Sequence, residues 1–126
     1  MPAKLFELAK NATAMAHAPY SKFMVGAAIL TEDGQYYSGC NIENASYPEG
    51  WCAETTAIGH MIMDGGGVIR EMAVICEQMD KITPCGGCRQ RISEFGNAKT
   101  VIHLCDQQGI VDSVTLGELL PRAFDF

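Results

Sequence analysis

The chain has 126 residues, 48% of them hydrophobic and 19% charged, with a formal net charge of −6 at pH 7. That is the length of one domain, enough to bury a core and short enough to gain from oligomerisation. The acidic balance, with no basic run beyond Arg89-Gln90-Arg91, speaks against a phosphate-gripping surface, so no nucleic-acid partner is expected. Residues 1–10 carry Lys4, Glu7 and Lys10 and do not read as a signal peptide; no apolar stretch reaches membrane-spanning length. A cytoplasmic chain without a membrane partner is expected. Six cysteines there favour metal binding or buried thiols over disulfides.

Leu5, Leu8, Ala9, Ala12, Met15 and Ala16 recur at helical spacing and predict a first helix ending before Pro19. The apolar run 24–30, the turn Glu32-Asp33-Gly34-Gln35 and residues 35–40 predict two antiparallel strands. A loop rich in Asn, Ser, Pro and Gly (residues 41–50) leads to Cys52. From there Ala53, Ala57, Ile58, Met61 and Ile62 share a helical face, stopped by Gly65-Gly66-Gly67. Residues 72–76 read as a strand. Residues 85–95 read as a helix with Ile92 and Phe95 on one side and Gly96 as its cap. Residues 100–105 form a further strand and 116–120 a short last helix. Strands alternating with helices imply parallel crossovers over a sheet covered on both faces. The expected fold is α/β, a three-layer α/β/α arrangement with a mixed sheet of about five strands, in a single domain spanning 1–126.

Two clusters carry chemistry, Cys52-Ala53-Glu54 and Pro84-Cys85-Gly86-Gly87-Cys88. A closed structural zinc takes four protein ligands, whereas a catalytic zinc keeps three and leaves a position for water. Three thiols and one nearby carboxylate match the second pattern, with Glu54 placed to take a water's proton. Both clusters fall at predicted helix starts. Helix N-termini offer unpaired N–H groups and roughly half a positive charge, which lower thiol pKa values and offset thiolate charge. Other readings stay open. Cys85 and Cys88 alone fit a redox pair, which leaves Cys52 and Glu54 unexplained. A fourth ligand from Cys40, Cys76 or Cys105 would make a noncatalytic zinc-binding module. Those three lie singly in or beside apolar runs and read as buried thiols. His17, His60 and His103 are scattered and read as surface or core residues.

The C-x-E…P-C-x-x-C arrangement is a zinc deaminase signature. The chain resembles the cytidine deaminases, in their small homotetrameric class with three cysteine ligands. The resemblance runs from Pro19-Tyr20-Ser21-Lys22-Phe23 to Leu119-Leu120-Pro121-Arg122-Ala123-Phe124. It implies Zn2+ on Cys52, Cys85 and Cys88, and Glu54 as the proton carrier. The reaction it implies is hydrolytic deamination of cytidine or 2′-deoxycytidine to the uridine product plus ammonia, a step of pyrimidine salvage. Asn41 and Glu43, within Asn41-Ile42-Glu43-Asn44, match residues that contact the ribose hydroxyls; an amide and a carboxylate suit a group that both donates and accepts. Phe23 matches an aromatic on the pyrimidine face, and the Ala53 N–H and Pro84 carbonyl match groups that frame the base. Tyr47 and Phe124 match residues that reach a neighbouring subunit's site in a homotetramer.

One position departs from the pattern. The family usually places Arg directly after the glutamate, where it donates to the ligating sulfurs; this chain has Thr55. Arg89 follows the last ligand as in the family, while Trp51 and Thr56 are less usual. Enzymes acting on blasticidin S, a modified cytosine nucleoside, share the C-A-E and P-C-x-x-C-R-Q core and also lack that Arg. A modified cytosine nucleoside is therefore the alternative substrate, although the complete Asn-Ile-Glu-Asn motif favours an ordinary one.

Overall fold

The computed structural model describes residues 2–126. Its first helix, α1 (Pro2–Thr13), buries Leu5, Ala9 and Thr13, a stripe spaced four residues apart along one face. It stops short of the predicted Met15 and Ala16. The Thr13 hydroxyl donates back to the Lys10 carbonyl, and the amides of residues 14–16 each bond three residues back, so the turn tightens and unwinds. Met15 is left exposed.

Strands β1 (Val25–Thr31) and β2 (Tyr36–Cys40) form the expected antiparallel hairpin, with Ala28 opposite Ser38. After β2 come α2 (Ala53–Met63), β3 (Ile69–Cys76), α3 (Gly86–Phe95), β4 (Val101–Cys105), β5 (Ile110–Thr115) and α4 (Leu116–Leu119). The sheet order is β2-β1-β3-β4-β5. β3 runs antiparallel to β1 and parallel to β4, and β5 runs antiparallel to β4. The expected mixed five-stranded α/β fold is present. Two crossovers join strands of the same direction: α2 passes from β2 over β1 to β3, and α3 joins the neighbours β3 and β4.

The two faces of the sheet are covered separately. Beneath α1, Leu5 and Ala9 pack on Ala28, Leu30, Ala73, Ile75 and Cys105. On the other face Ala53, Ala57, Met61, Ile92 and Leu116 from α2, α3 and α4 pack on Ala27, Ile29, Met72, Val74, Ile102 and Leu104. Alternate residues of each buried strand thus serve opposite layers.

Two glycines set how closely the helices sit. A Cβ on Gly26 would lie 2.0 Å from the Ala9 carbonyl oxygen of α1. One on Gly39 would lie 2.4 Å from the Ala57 nitrogen and 2.8 Å from the Ala53 oxygen of α2. Any side chain at 39 would lift the first turn of α2 off β2, and that turn carries Cys52 and Glu54.

Candidate active site

Cys52 is the N-cap residue of α2 and Cys85 that of α3, both in extended backbone, and Cys88 lies one turn into α3. Each cysteine cap is anchored. The neighbouring Trp51 exchanges two backbone hydrogen bonds with Ile42, both 2.8 Å, and the Thr56 hydroxyl donates to the Cys40 carbonyl at 2.7 Å. On α3 the Arg89 amide donates to the Cys85 carbonyl at 3.0 Å. The two helix starts converge, and the Sγ atoms of Cys52, Cys85 and Cys88 lie within 4.8 Å of one another. Three sulfurs on a tetrahedral zinc, at about 2.3 Å from the metal, stand about 3.8 Å apart. The cluster and its thiolate chemistry therefore fit zinc. Cys40, Cys76 and Cys105 lie outside it.

Glu54 sits in the first turn of α2, only 4% exposed. It borders a cleft of ≈ 390 Å³ whose walls include Val25, Asn41, Glu43, Tyr47, Trp51, Cys52, Ala53, Ile82, Thr83 and Cys85. An adjoining groove of ≈ 280 Å³, lined by Tyr20, Ser21, Asn44 and the shared Glu43 and Tyr47, extends it. Tyr47 opens the short 3₁₀ turn Tyr47–Glu49, and its ring lies 5.9 Å from that of Tyr20.

Asn41, in the cleft wall, and Glu43, shared by the two spaces, are each held by hydrogen bonds to the backbone. Asn41 Oδ1 accepts from the Val25 amide at 3.0 Å, and its Nδ2 donates to the Phe23 carbonyl at 2.8 Å. Glu43 Oε1 accepts from the amides of Tyr20 (2.9 Å) and Ser21 (3.1 Å), and Oε2 accepts from the Ser21 hydroxyl. The Ser21 hydrogen bond above all pulls the Glu43 pKa below the ordinary carboxylate value, so it is ionised at neutral pH. Each residue keeps spare hydrogen-bonding capacity for a ligand.

This arrangement has close counterparts. The profile of the cytidine and deoxycytidylate deaminase zinc-binding region matches residues 2–104. The chain belongs to this deaminase family. The cytidine deaminase of Sporosarcina psychrophila is 44% identical over 121 residues, covering 96% of this chain and 89% of that protein. A crystal structure of cytidine deaminase from Burkholderia pseudomallei superposes with a TM-score of 0.92 at 43% identity, covering 98% of this chain and 99% of that one. For the cytidine deaminase of Mycobacterium tuberculosis the TM-score is 0.88 at 39% identity, covering 98% and 97%.

Within this deaminase fold the thiols and the carboxyl are electrostatically linked. Cys52 is drawn down to about 6, first by a hydrogen bond from Cys88, with Cys85 and the Arg91 charge adding to it. Cys88 is pushed well up by that same bond, by burial and by the negative charges of Glu54, Cys52 and Cys85. Without metal the two share protons and titrate as a unit. Burial raises the Glu54 carboxyl to about 7, and the Cys52 charge adds to the rise. A carboxyl poised there can both take and give a proton at neutral pH.

The remaining predicted site residues are distributed more widely. Ala53 is fully buried at the cleft, and Pro84 is buried with its carbonyl accepting from Arg89 Nε at 2.8 Å. Arg89 Nη1 donates to the Leu119 carbonyl at 2.9 Å, so its guanidinium ties α3 to α4. Phe23 is 49% exposed and is not part of the cleft wall, although its carbonyl orients Asn41. Phe124 is 68% exposed and packs edge-on against Phe126, away from this chain's own cleft. Thr55 Oγ1 lies 4.0 Å from Cys88 Sγ. The sequence reading missed Arg91, whose Nη1 donates to Cys88 Sγ at 3.8 Å. Its signal was the three-residue spacing from Cys88, which puts both on one face of α3.

Proposed function

We propose that this protein hydrolyses cytidine and 2′-deoxycytidine to uridine and 2′-deoxyuridine, releasing ammonia, within a single catalytic domain spanning residues 1–126. The observation that carries the reading is the buried Glu54 beside three convergent sulfurs, lining a cleft whose wall also holds Asn41 and an ionised Glu43. Cys52, Cys85 and Cys88 hold zinc, which when bound supplies a Lewis acid that makes water nucleophilic near neutral pH. Glu54 takes the proton of the water attacking C4, passes it to ring N3, and then aids departure of the amino group. Its burial in the cleft beside the sulfur cluster places it for both directions of transfer. The Ala53 amide and the Pro84 carbonyl frame the base, Asn41 and Glu43 grip the ribose hydroxyls, and Phe23, which stands outside the cleft wall, flanks the face of the base from there.

We also infer a cytoplasmic homotetramer in which Tyr47 and Phe124 reach a neighbouring site. The exposure of both aromatics supports this, and no helix among the described residues is long and apolar enough to cross a membrane. Zinc analysis of the purified protein, with ammonia release from cytidine, 2′-deoxycytidine, cytosine and blasticidin S, tests the reading. Preference for blasticidin S over cytidine would transfer the assignment to a modified cytosine nucleoside.

The same panel tests the sugar contacts. Glu43→Ala and Asn41→Ala are expected to lower kcat/KM for nucleosides by about 10- to 150-fold, the effect of losing a hydrogen bond involving a charged group. Activity on free cytosine should change little. Equal losses on nucleoside and base would assign the two residues to holding Tyr20, Ser21, Phe23 and Val25 in place.

A further inference from the structure

Three thiolates around a dication leave a surplus of one negative charge, and that charge sits in a partly buried pocket beside another carboxyl. Among the described residues, Arg91 is the only cationic side chain that donates a hydrogen bond to one of these sulfurs. Arg89, two residues earlier, spends its guanidinium on the carbonyls of Pro84 and Leu119. The backbone leaves a lane for Arg91. A Cβ on Gly87 would lie 3.2 Å from Arg91 Nη1, so the absence of a side chain there lets the guanidinium fold back along the first turn of α3. The same sulfur also has Thr55 Oγ1 as a neighbour, at 4.0 Å and uncharged.

From this geometry we propose that Arg91 is a positioning residue for the metal centre: it holds the Cys88 sulfur and withdraws electron density from it. The inference rests on the deaminase reading and adds to it the source of the compensating charge. A hydrogen bond from a guanidinium to a thiolate is charge-assisted and stronger than one to a neutral thiol. It lowers the energy of the sulfur lone pairs, so Cys88 gives less density to the metal, which stays a better Lewis acid. The Arg91 charge also acts on Cys52 and Glu54. Position 55 faces the same sulfur, so a cation placed there should serve the same purpose from α2.

Cobalt(II) in place of zinc makes the effect visible, because the energy of the sulfur-to-cobalt charge-transfer band reports the electron density on the thiolates. Replacing Arg91→Met keeps the length of the side chain and removes the charge, and should move that band to longer wavelength. Arg91→Lys should give a smaller displacement, and adding Thr55→Arg to Arg91→Met should reverse it. Zinc retained against a chelator at low ionic strength should fall about three- to tenfold in Arg91→Met, with the gap narrowing in 1 M salt as the exposed charge is screened. An unchanged band in Arg91→Met, with one metal still bound per chain, overturns the role of Arg91 and leaves the metal centre standing. A zinc loss that is the same at every salt concentration likewise overturns it in favour of simple packing. Failure of the wild-type protein to bind either metal overturns the metal centre and the role of Arg91 together.

Discussion

Glu54→Gln is expected to keep the fold and the metal while losing about 10⁴-fold in turnover, the upper end of what a positioned general acid–base contributes. The large figure follows from economy of machinery. One carboxyl sits beside the sulfur cluster, buried to 4% exposure, and in the proposed mechanism the same group serves the attack, the protonation of N3 and the departure of ammonia. Glutamine keeps the volume and one acceptor but cannot carry a proton between them. The check is single-turnover ammonia release with zinc content measured on the same preparation. Turnover near the wild-type rate would remove Glu54 from the mechanism.

The same substitution should stabilise the metal-free protein. The Glu54 pKa stands at about 7 in the fold because burial disfavours the charged form, against an ordinary value of 4.5. Since the folded state prefers the protonated acid, folding carries no penalty below pH 4.5, and the penalty grows as pH rises and is complete above 7. Glutamine has no such charge to bury. The two proteins should unfold alike near pH 4, and at pH 8 the variant should gain on the order of 3 kcal/mol, about 1.4 kcal/mol for each unit of displacement. Urea unfolding of the zinc-free proteins at both pH values measures this. Here function holds a carboxyl where stability alone would not place one.

Most of this architecture was written in local pattern. The Cys-x-Glu and Pro-Cys-x-x-Cys clusters were legible because a thiol at a helix cap leaves a plain trace, an extended loop ending where an apolar helical face begins. The alternation of strands and helices gave the layered fold for the same reason. Most of what escaped was set by partners distant in sequence. β5 (Ile110–Thr115) was not located, because as an edge strand it leaves Val111, Asp112 and Ser113 exposed and lacks the apolar run of a buried strand. The start of β3 at Ile69 was hidden by the charged Arg70 and Glu71, although Glu71 pairs with His103 across the sheet at 2.7 Å. Arg91 carried no motif of its own. Its spacing from Cys88 is local, but the motif residue Arg89 draws the eye first, and Arg89 turns instead to the carbonyls of Pro84 and Leu119 while Arg91 donates to the sulfur.

Loss of any one of the three clustered thiols should abolish zinc binding under ordinary dilution, and catalysis with it. Four-ligand zinc peptides gain about 10–16 kcal/mol on binding, so one ligand is worth roughly 2.5–4 kcal/mol, or ~10²- to 10³-fold in affinity. With three protein ligands there is no spare to share the burden. Cys52→Ala, Cys85→Ala and Cys88→Ala should each fall below one zinc per chain after dialysis against a weak chelator. The other cysteines provide the contrast. Burial pushes Cys105 up to about 11 and also raises Cys40, and neither sulfur lies with the clustered three. Cys76 is fully buried on β3, away from the cluster. Alanine at 40, 76 or 105 should retain stoichiometric zinc at a packing cost of about 1 kcal/mol or more. Metal analysis of all six variants, with thermal unfolding as the measure of packing, separates the two sets. Should Cys40, Cys76 or Cys105 prove as necessary as the clustered three, the zinc would have four thiolates and no position for water, and the protein would be a zinc-stabilised module without the hydrolytic chemistry that Glu54 is placed to perform.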